Sequence, residues 1–464
     1  MRVLVALATA VALAGCAITS PQLKPDLAMP ATWNEVAPSV GATVPLDWWQ
    51  SFRSQELARL IDEALAGSPD LAIATERVLQ AEAQVRIAGA SLFPAVGLAA
   101  ATARRDQRGG QPRITTESTN ATLVASYELD LWGKIASGVR SAKSTLTASE
   151  YDREAARLTL IASVAAAYFD VISLRGRIAT ARQNLTIAER VLGVVDARVR
   201  NGAASPLDLA RQRTAVLNLR AAIEPLDLQE RQTRAALAVL IGRPPEGFDV
   251  EAQAIVAIAV PAIAPGMPAE LLVRRPDIAA SEALLAAANA NVAVARAALL
   301  PSITLTGSAG YASSTLLALG SSSATVLSIA AALAQPIFDG GQRRAAVDFS
   351  ASRERELVEV YRAAILNGFA DVESALAATG RTADQERYQE EAVREARRAL
   401  SLAEIRYREG ADDLLVVLDA QRTAFTTEDQ LAQTRLARLQ ATVGLYRALG
   451  GGWTVPEPAV RAAN

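Results

Sequence analysis

The sequence predicts an α+β chain dominated by long helices packed as coiled coils, with four β-strands arranged as two hairpins in a duplicated architecture. Three observations carry this. A stretch at 68–96 ("SPDLAIATERVLQAEAQVRIAGASLFPAV") overlays one at 275–303 ("RPDIAASEALLAAANANVAVARAALLPSI") without a gap, Pro69 falling on Pro276 and Pro94 on Pro301. Apolar residues recur at heptad spacing over runs far longer than an ordinary globular helix. Between them lie short stretches of strand-like character around polar loops.

The overlay keeps its register: Asp70/Asp277, Ala83/Ala290, Val85/Val292, Ala88/Ala295 and Leu92/Leu299 all coincide. Further on, "LDLWGK" (129–134) answers "IFDGGQ" (337–342), and "RVRNGAASPLDL" (198–209) answers "RYREGADDLLVV" (406–417). A duplication of this length has to be read before any local assignment. It divides the chain into a first repeat (51–241), a proline-rich linker (242–267), a second repeat (268–452) and a tail (453–464).

Each repeat opens with proline at the first helical position and an acid in the first turn, a helix start. The helices, about 69–92 and 276–300, stop before Pro94 and Pro301. Strand-like runs follow at 95–104 and 119–130 in the first repeat, and at 302–311 and 324–337 in the second. After Gly133 and Gly341 the pattern turns helical for nearly seventy residues. Leu158, Ile161, Ala165, Tyr168 and Ile172 step at heptad spacing, as do Leu185, Ala188, Leu192, Val195 and Val199; in the second repeat Val393, Ala396, Leu400, Ala403 and Tyr407 repeat the step, as do Leu436, Leu439, Val443 and Tyr446. Alanine fills many seam positions, which suits close packing on two sides.

Lengths sharpen the picture. A helix over 134–201 spans about 100 Å at 1.5 Å per residue. Its return partner, 206–241, has half that length, as does 413–449. A short and a middle helix stacked end to end therefore match one long helix, giving four helical columns per chain.

The N-terminus has its own logic. Residues 3–13 form an apolar run behind Arg2, too short for a stable membrane span and laid out as a secretory signal. Leu13-Ala14-Gly15-Cys16 matches a bacterial lipobox, in which Cys16, the chain's sole cysteine, is acylated and becomes the first mature residue. This assigns 1–15 to a lipoprotein signal peptide and 16–50 to a lipidated (palmitate-bearing) tether. Trp48 and Trp49 are expected to pack that tether. The run "AIVAIAV" in the linker reads as a buried strand or packed loop.

Composition excludes several functions. With 47 Lys and Arg against 49 Asp and Glu, there is no electrostatic case for nucleic acid. Without histidine, and with its one cysteine acylated, the chain offers no disulfide framework, no usual zinc site and no histidine triad. No nucleophile motif stands out, so the expectation is a non-enzyme without metal or cofactor.

Strands exposed to lipid need every backbone group paired, so an open four-stranded sheet does not stand alone in a membrane. Four strands also fall short of the eight of the smallest barrels. Either the hairpins form an ordinary sheet in water or several chains complete one barrel; secretion and lipidation favour the barrel.

Together the duplicated halves, the proline before each first strand, "LDLWGK", "PIFDGGQRR" and "RYREGADDLLVVLDAQRTAF" resemble the TolC-type outer-membrane efflux channel family, in its OprM- and NodT-like lipoprotein branch. The resemblance covers nearly the whole mature chain. It implies a homotrimer whose twelve strands (from hairpins at about 95–130 and 302–337) close an outer-membrane β-barrel and whose helices form a periplasmic α-barrel. It also implies a periplasmic adaptor (membrane fusion protein) and an inner-membrane pump of the RND class as partners, with multidrug-type efflux as the function. Drugs, siderophores and solvents are not separated by the sequence. The competing function is a structural coiled-coil lipoprotein that spaces or tethers periplasmic components, which explains the lipid and the heptads but leaves both hairpins idle.

In that family the periplasmic end is closed at the helix-turn-helix tips. The resemblance places Tyr407 on a gate tyrosine, and Asp419 and Asp208 on gate aspartates, while Asp412 stands where an arginine would be and Val416 where another aspartate would be. An arginine latch between chains is therefore not expected, and a Tyr407 to Asp208 hydrogen bond is the expected restraint. Helix capping competes as the role of Asp208 and Asp412, and a solvated helix face as that of Asp419.

Overall fold

In the computed structural model the described residues are 23, 25–35, 44–107, 114–251, 254–321 and 323–455. Cys16 and the signal peptide lie outside them, as does most of the tail. The described elements are α1 (Gln55–Gly67), α2 (Pro69–Ala90), β1 (Ala95–Gln107), β2 (Ile114–Leu129), α3 (Lys134–Arg200), α4 (Pro206–Leu240), a single turn α5 (Leu271–Arg274), α6 (Pro276–Ala297), β3 (Ser302–Ser313), β4 (Ala324–Ala334), α7 (Gln342–Arg408) and α8 (Leu414–Ala448). The chain divides into two compact units. One holds residues 77–150 and 280–363, the other 27–76, 151–279 and 364–464.

The first unit contains a four-stranded antiparallel sheet in the order β1-β2-β3-β4. Its register sorts the side chains cleanly. One face is mainly small or polar, carrying Ala99, Asn120, Thr122, Thr306, Ser308, Ser328 and Ala330 with two valines, Val124 and Val326; the other carries Val96, Leu98, Leu123, Leu305, Leu327, Ile329 and Leu333. Among the described residues nothing covers the apolar face: Leu98, Leu327 and Ile329 are 76, 75 and 86% exposed. The outer edges of β1 and β4 pair with no strand among the described residues. Alternation of this kind marks a sheet with lipid on one side and water on the other.

The repeated "LDLWGK" and "IFDGGQ" motifs are helix starts fed by a strand. Asp130 accepts from the backbone N–H groups of Ile135 and Ala136 at 2.9 and 2.7 Å. Asp339 accepts from Gly341 and Arg343 at 3.0 and 3.2 Å. Each carboxylate satisfies orphan donors at the positive end of a 67-residue helix.

The second unit holds the large core, built from Trp48, Phe52, Leu57, Ile61, the α3 seam residues Ile161, Ala165, Tyr168 and Ile172, and Leu439, Val443 and Tyr446 of α8. Ile161, Ala165, Tyr168 and Ile172 are buried, as are Val393, Ala396, Leu400, Ala403 and Tyr407, while Leu158, Leu185, Leu192, Val199 and Leu436 of the seams are half-buried. Trp48 stacks on Tyr446 at 4.7 Å and is fully buried, so the tether tryptophans close the core. The linker docks here as a packed loop, with one 3-10 turn at Ile255–Ala257 rather than a strand, and buries Ile255 and Ile258. Arg175 donates to the Val250 carbonyl and Arg435 to the Ile258 carbonyl, tying the linker to α3 and α8.

End-to-end stacking takes a specific form. At the end of α4, Gly242 (φ +79°) lies so close to the Gly67 carbonyl, next to the start of α2, that a Cβ would come within 2.1 Å of it. At the end of α8, Gly450 (φ +85°) makes the same approach to the Arg274 carbonyl, with 1.8 Å for a Cβ. Only glycine combines a left-handed backbone with that closeness. Both repeats thus solve the junction alike.

Candidate functional site at the helix tips

The two long helices end in identical turns. At the end of α3, Ala203 N–H donates to the Arg198 carbonyl at 2.7 Å and Gly202 N–H to Val199 at 3.0 Å. At the end of α7, Ala411 donates to Arg406 at 2.8 Å and Gly410 to Tyr407 at 3.1 Å. Gly202 and Gly410 have φ +72° and +76°, so both are Schellman turns closed by a left-handed glycine. Arg198 and Arg406 therefore occupy equivalent positions in the two hairpins.

The return helices start with a side-chain cap. Ser205 caps α4: its hydroxyl accepts from Asp208 N–H at 3.2 Å, while Asp208 Oδ2 accepts from Ser205 N–H at 3.1 Å and from its hydroxyl at 2.8 Å. This capping box holds the Asp208 carboxyl below its ordinary pKa, chiefly through the Ser205 hydroxyl and then its backbone N–H. Asp413, not Asp412, caps α8, accepting from Leu415 and Val416 at 2.9 and 3.4 Å. Asp412 sits one residue earlier and forms a bidentate pair with Arg406 at 2.7 and 2.9 Å, which holds its pKa down. The capping role weighed for Asp412 is thus corrected: the helix phase places Asp413 at the cap.

Tyr407 is buried, in a cluster with Val191, Val195, Ala403, Leu414 and Val417. Its partner differs from the expected one. The Arg198 guanidinium lies 4.7 Å from the ring centroid and donates to the Tyr407 carbonyl at 2.9 Å. The Tyr407 hydroxyl is raised above its ordinary pKa, first by burial; Arg198 pulls it down, and the nearby Asp208 charge pushes it up. Asp208 Oδ2 is engaged by its own capping box, and no Tyr407 to Asp208 hydrogen bond forms between these residues of the chain. Asp419 lies on an exposed stretch of α8, 69% exposed, and pairs with Arg422 at 2.8 Å. It rims an apolar groove of about 760 Å³ between α4 and α8, lined by Leu219, Leu415, Leu418, Phe425 and Gln421.

Sequence reasoning missed Arg198, Ser205, Arg406 and Asp413. The repeat alignment carried the signal for the two arginines, and Ser-Pro before an apolar run carried it for the Ser205 cap.

A sheet with one apolar and one small polar face, joined in sequence to long helical hairpins with capped tips, defines a membrane channel of the outer-membrane export class. A family model described as outer membrane efflux protein matches residues 60–243 and 267–451, and the chain belongs to that family. It is 42% identical to the pyoverdine export outer membrane protein OpmQ of Pseudomonas putida, over 98% of this chain and 99% of that one. With the outer membrane protein OprJ of Pseudomonas aeruginosa it shares 35% identity over 97% of this chain and 95% of that one. Among solved structures, the Neisseria gonorrhoeae MtrE channel in its open state matches with TM-score 0.85 at 30% identity, covering 94% of this chain and 98% of that one. The outer-membrane channel OprN matches with TM-score 0.85 at 28% identity, covering 93% of this chain and all of that one. The chain is an outer-membrane efflux protein, and the spacer reading is set aside.

Proposed function

We propose that three copies of this chain form one conduit, with twelve strands closing a barrel in the outer membrane and twelve helical columns forming the periplasmic tunnel. The observation that carries this is the open sheet: two unpaired outer edges and an uncovered apolar face in each chain. Three such sheets joined edge to edge satisfy every strand and present one continuous apolar band to lipid. Acylation at Cys16 adds a tether that aids sorting and assembly, while the barrel is the main anchor. The partners are a periplasmic adaptor and an inner-membrane pump of the RND class.

The tips form the closure of the tunnel, with Tyr407, Asp208, Asp412 and Asp419 around it. Three copies of Asp419 on exposed helix faces focus negative potential at a narrow ring and favour cations. The few tip contacts are each worth about 1 kcal/mol net, within reach of an adaptor's docking energy.

For cargo, the two relatives named for pyoverdine export share 42 and 41% identity with this chain, while relatives named for toluene or other solvent efflux share 33 to 34%. Pyoverdine, for whose export those two relatives are named, is the cargo we assign. Deleting the gene should trap pyoverdine in the periplasm while drug and solvent tolerance barely changes. The reverse result, lowered tolerance with normal pyoverdine in the medium, would overturn the assignment.

A further inference from the structure

The equivalent arginines of the two hairpins are used differently. Arg406, at the end of α7, turns into its own loop and is taken by Asp412. Arg198, at the end of α3, crosses to the other hairpin and makes two contacts at once. Its Nη1 donates to the carbonyl of Tyr407 at 2.9 Å, and its guanidinium lies over the Tyr407 ring at 4.7 Å. The carbonyl is one of the last of α7, among the groups a helix leaves without intrahelical partners and at the negative end of its dipole. That carbonyl already accepts from Gly410 N–H at 3.1 Å, so an arginine from the neighbouring hairpin adds a second, charged donor to the α7 cap while its guanidinium lies over the Tyr407 ring.

Packing reinforces the crossing. Val191 and Val195, in the two turns of α3 before Arg198, pack with Ala403 and Tyr407 of α7 and with Leu414 and Val417 of α8. The two hairpins are therefore bound at their tips by a small apolar cluster with Arg198 at its outer end. Among the described residues the second hairpin makes no matching polar crossing with Arg406, whose guanidinium is paired with Asp412. Displacing one tip from the other requires Arg198 to leave both the carbonyl and the ring.

We propose that Arg198 is the positioning residue of the closed tunnel end, a staple between the two hairpins of one chain that holds Tyr407 in place. This rests on the reading of the tips as the closure. The neutral side chain in Arg198→Gln removes both the charge over the ring and the planar fork, whereas Arg198→Lys retains the charge.

The test uses the full lipidated protein in planar lipid bilayers, with assembly checked for every variant by native mass and by an unheated gel band. A hydrogen bond to a helix end and a cation–π contact together predict roughly a tenfold rise in open probability for Arg198→Gln. Arg198→Lys should fall between that and the wild type. Tyr407→Leu removes the ring contact but keeps the backbone carbonyl, so it should open the channel less than Arg198→Gln does, and the Arg198→Gln/Tyr407→Leu double variant should open it no further than Arg198→Gln alone, because the ring contact is already gone there. If Arg198→Gln fails to assemble, Arg198→Met carries the test, since it keeps the apolar stem against the ring.

An Arg198→Gln channel within twofold of wild type, with Asp208→Asn or Asp419→Asn clearly opened, overturns the staple and leaves the tip closure standing. If no tip variant, Tyr407→Leu included, changes open probability, the closure reading fails and the staple falls with it. Fully additive effects in the double variant would also overturn the staple.

Discussion

Adjacent residues Ser328 and Ile329 of β4 point to opposite faces of the sheet, so introducing the same arginine at each tests the face assignment directly. Ile329 shares its face with Leu98, Leu123 and Leu327, while Ser328 pairs with Ser308, hydroxyl to hydroxyl at 2.8 Å, on the small polar face. Ile329 lies five residues from the strand end at Ala334. At ~3.4 Å per residue and a tilt of ~45°, this places it about 12 Å above that end, near the middle of an apolar band of ~25 Å. An arginine facing lipid at that depth costs about 2–4 kcal/mol per chain, tripled when three chains share a barrel. Ile329→Arg should therefore abolish or sharply lower the heat-sensitive oligomer band and shift its urea midpoint down. Ser328→Arg adds a positive ring to the lumen at little folding cost. It should assemble normally and shift reversal potential in a salt gradient toward anion preference. A stable Ile329→Arg channel beside a collapsed Ser328→Arg would refute the assignment.

Further predictions follow from other parts of the structure. Gly450→Ala forces a side chain into a left-handed backbone and a Cβ to within 1.8 Å of the Arg274 carbonyl, so a loss on the order of 2–4 kcal/mol is expected in urea unfolding; a change under 0.5 kcal/mol would contradict the junction. Trp33 is buried, donates to the Gly266 carbonyl at 2.9 Å and packs on Leu271, Val372 and Leu449. Trp33→Ala should cost about 3–5 kcal/mol locally and make residues 27–35 the first site of limited proteolysis. With no histidine in the chain, no side chain at the tips titrates at its ordinary pKa between pH 5 and 8. Asp208 and Asp412 have lowered pKa values, from the Ser205 hydroxyl and the Arg406 guanidinium respectively. Their stabilisation is complete above the ordinary carboxylate pKa of ~3.9 and is lost as pH falls through the lowered values. Closure should therefore be unchanged from pH 8 to 5.5 and weaken only below about 4; a transition near pH 6.5 would contradict this. Replacing Cys16 by alanine behind an intact cleavable signal should reduce assembly yet leave membrane association, measured by sodium carbonate extraction.

The duplication, the hairpins and the helix columns were legible because proline, glycine and heptad spacing are local signals. Pro69 and Pro276 begin α2 and α6 as read, and the first long helix ends at Arg200, one residue before the expected 201. Strand ends were harder, since charge was taken as loop. Arg104 pairs with Glu117 and Thr115 with Asp106 across β1 and β2, so the hairpin runs on into residues that composition marks as polar. In β4 the reverse holds: Pro336 has no N–H to donate, and the strand stops at Ala334 rather than 337. Helix α1 was overlooked although Ser54, Leu57, Leu60, Ile61 and Ala64 carry a cap and an apolar stripe, because the repeat overlay starts after it and its counterpart is the single turn α5. At the tips the candidate aspartates were identifiable by position. Their partners were not, since whether Arg198 turns to its own loop or to Tyr407 depends on how two hairpins distant in sequence pack.

The native mass of the detergent-solubilised, lipidated protein tests the central claim most directly. The open sheet of each chain predicts a single species of three chains. A folded monomer or dimer, stable without a third copy, would contradict the shared barrel.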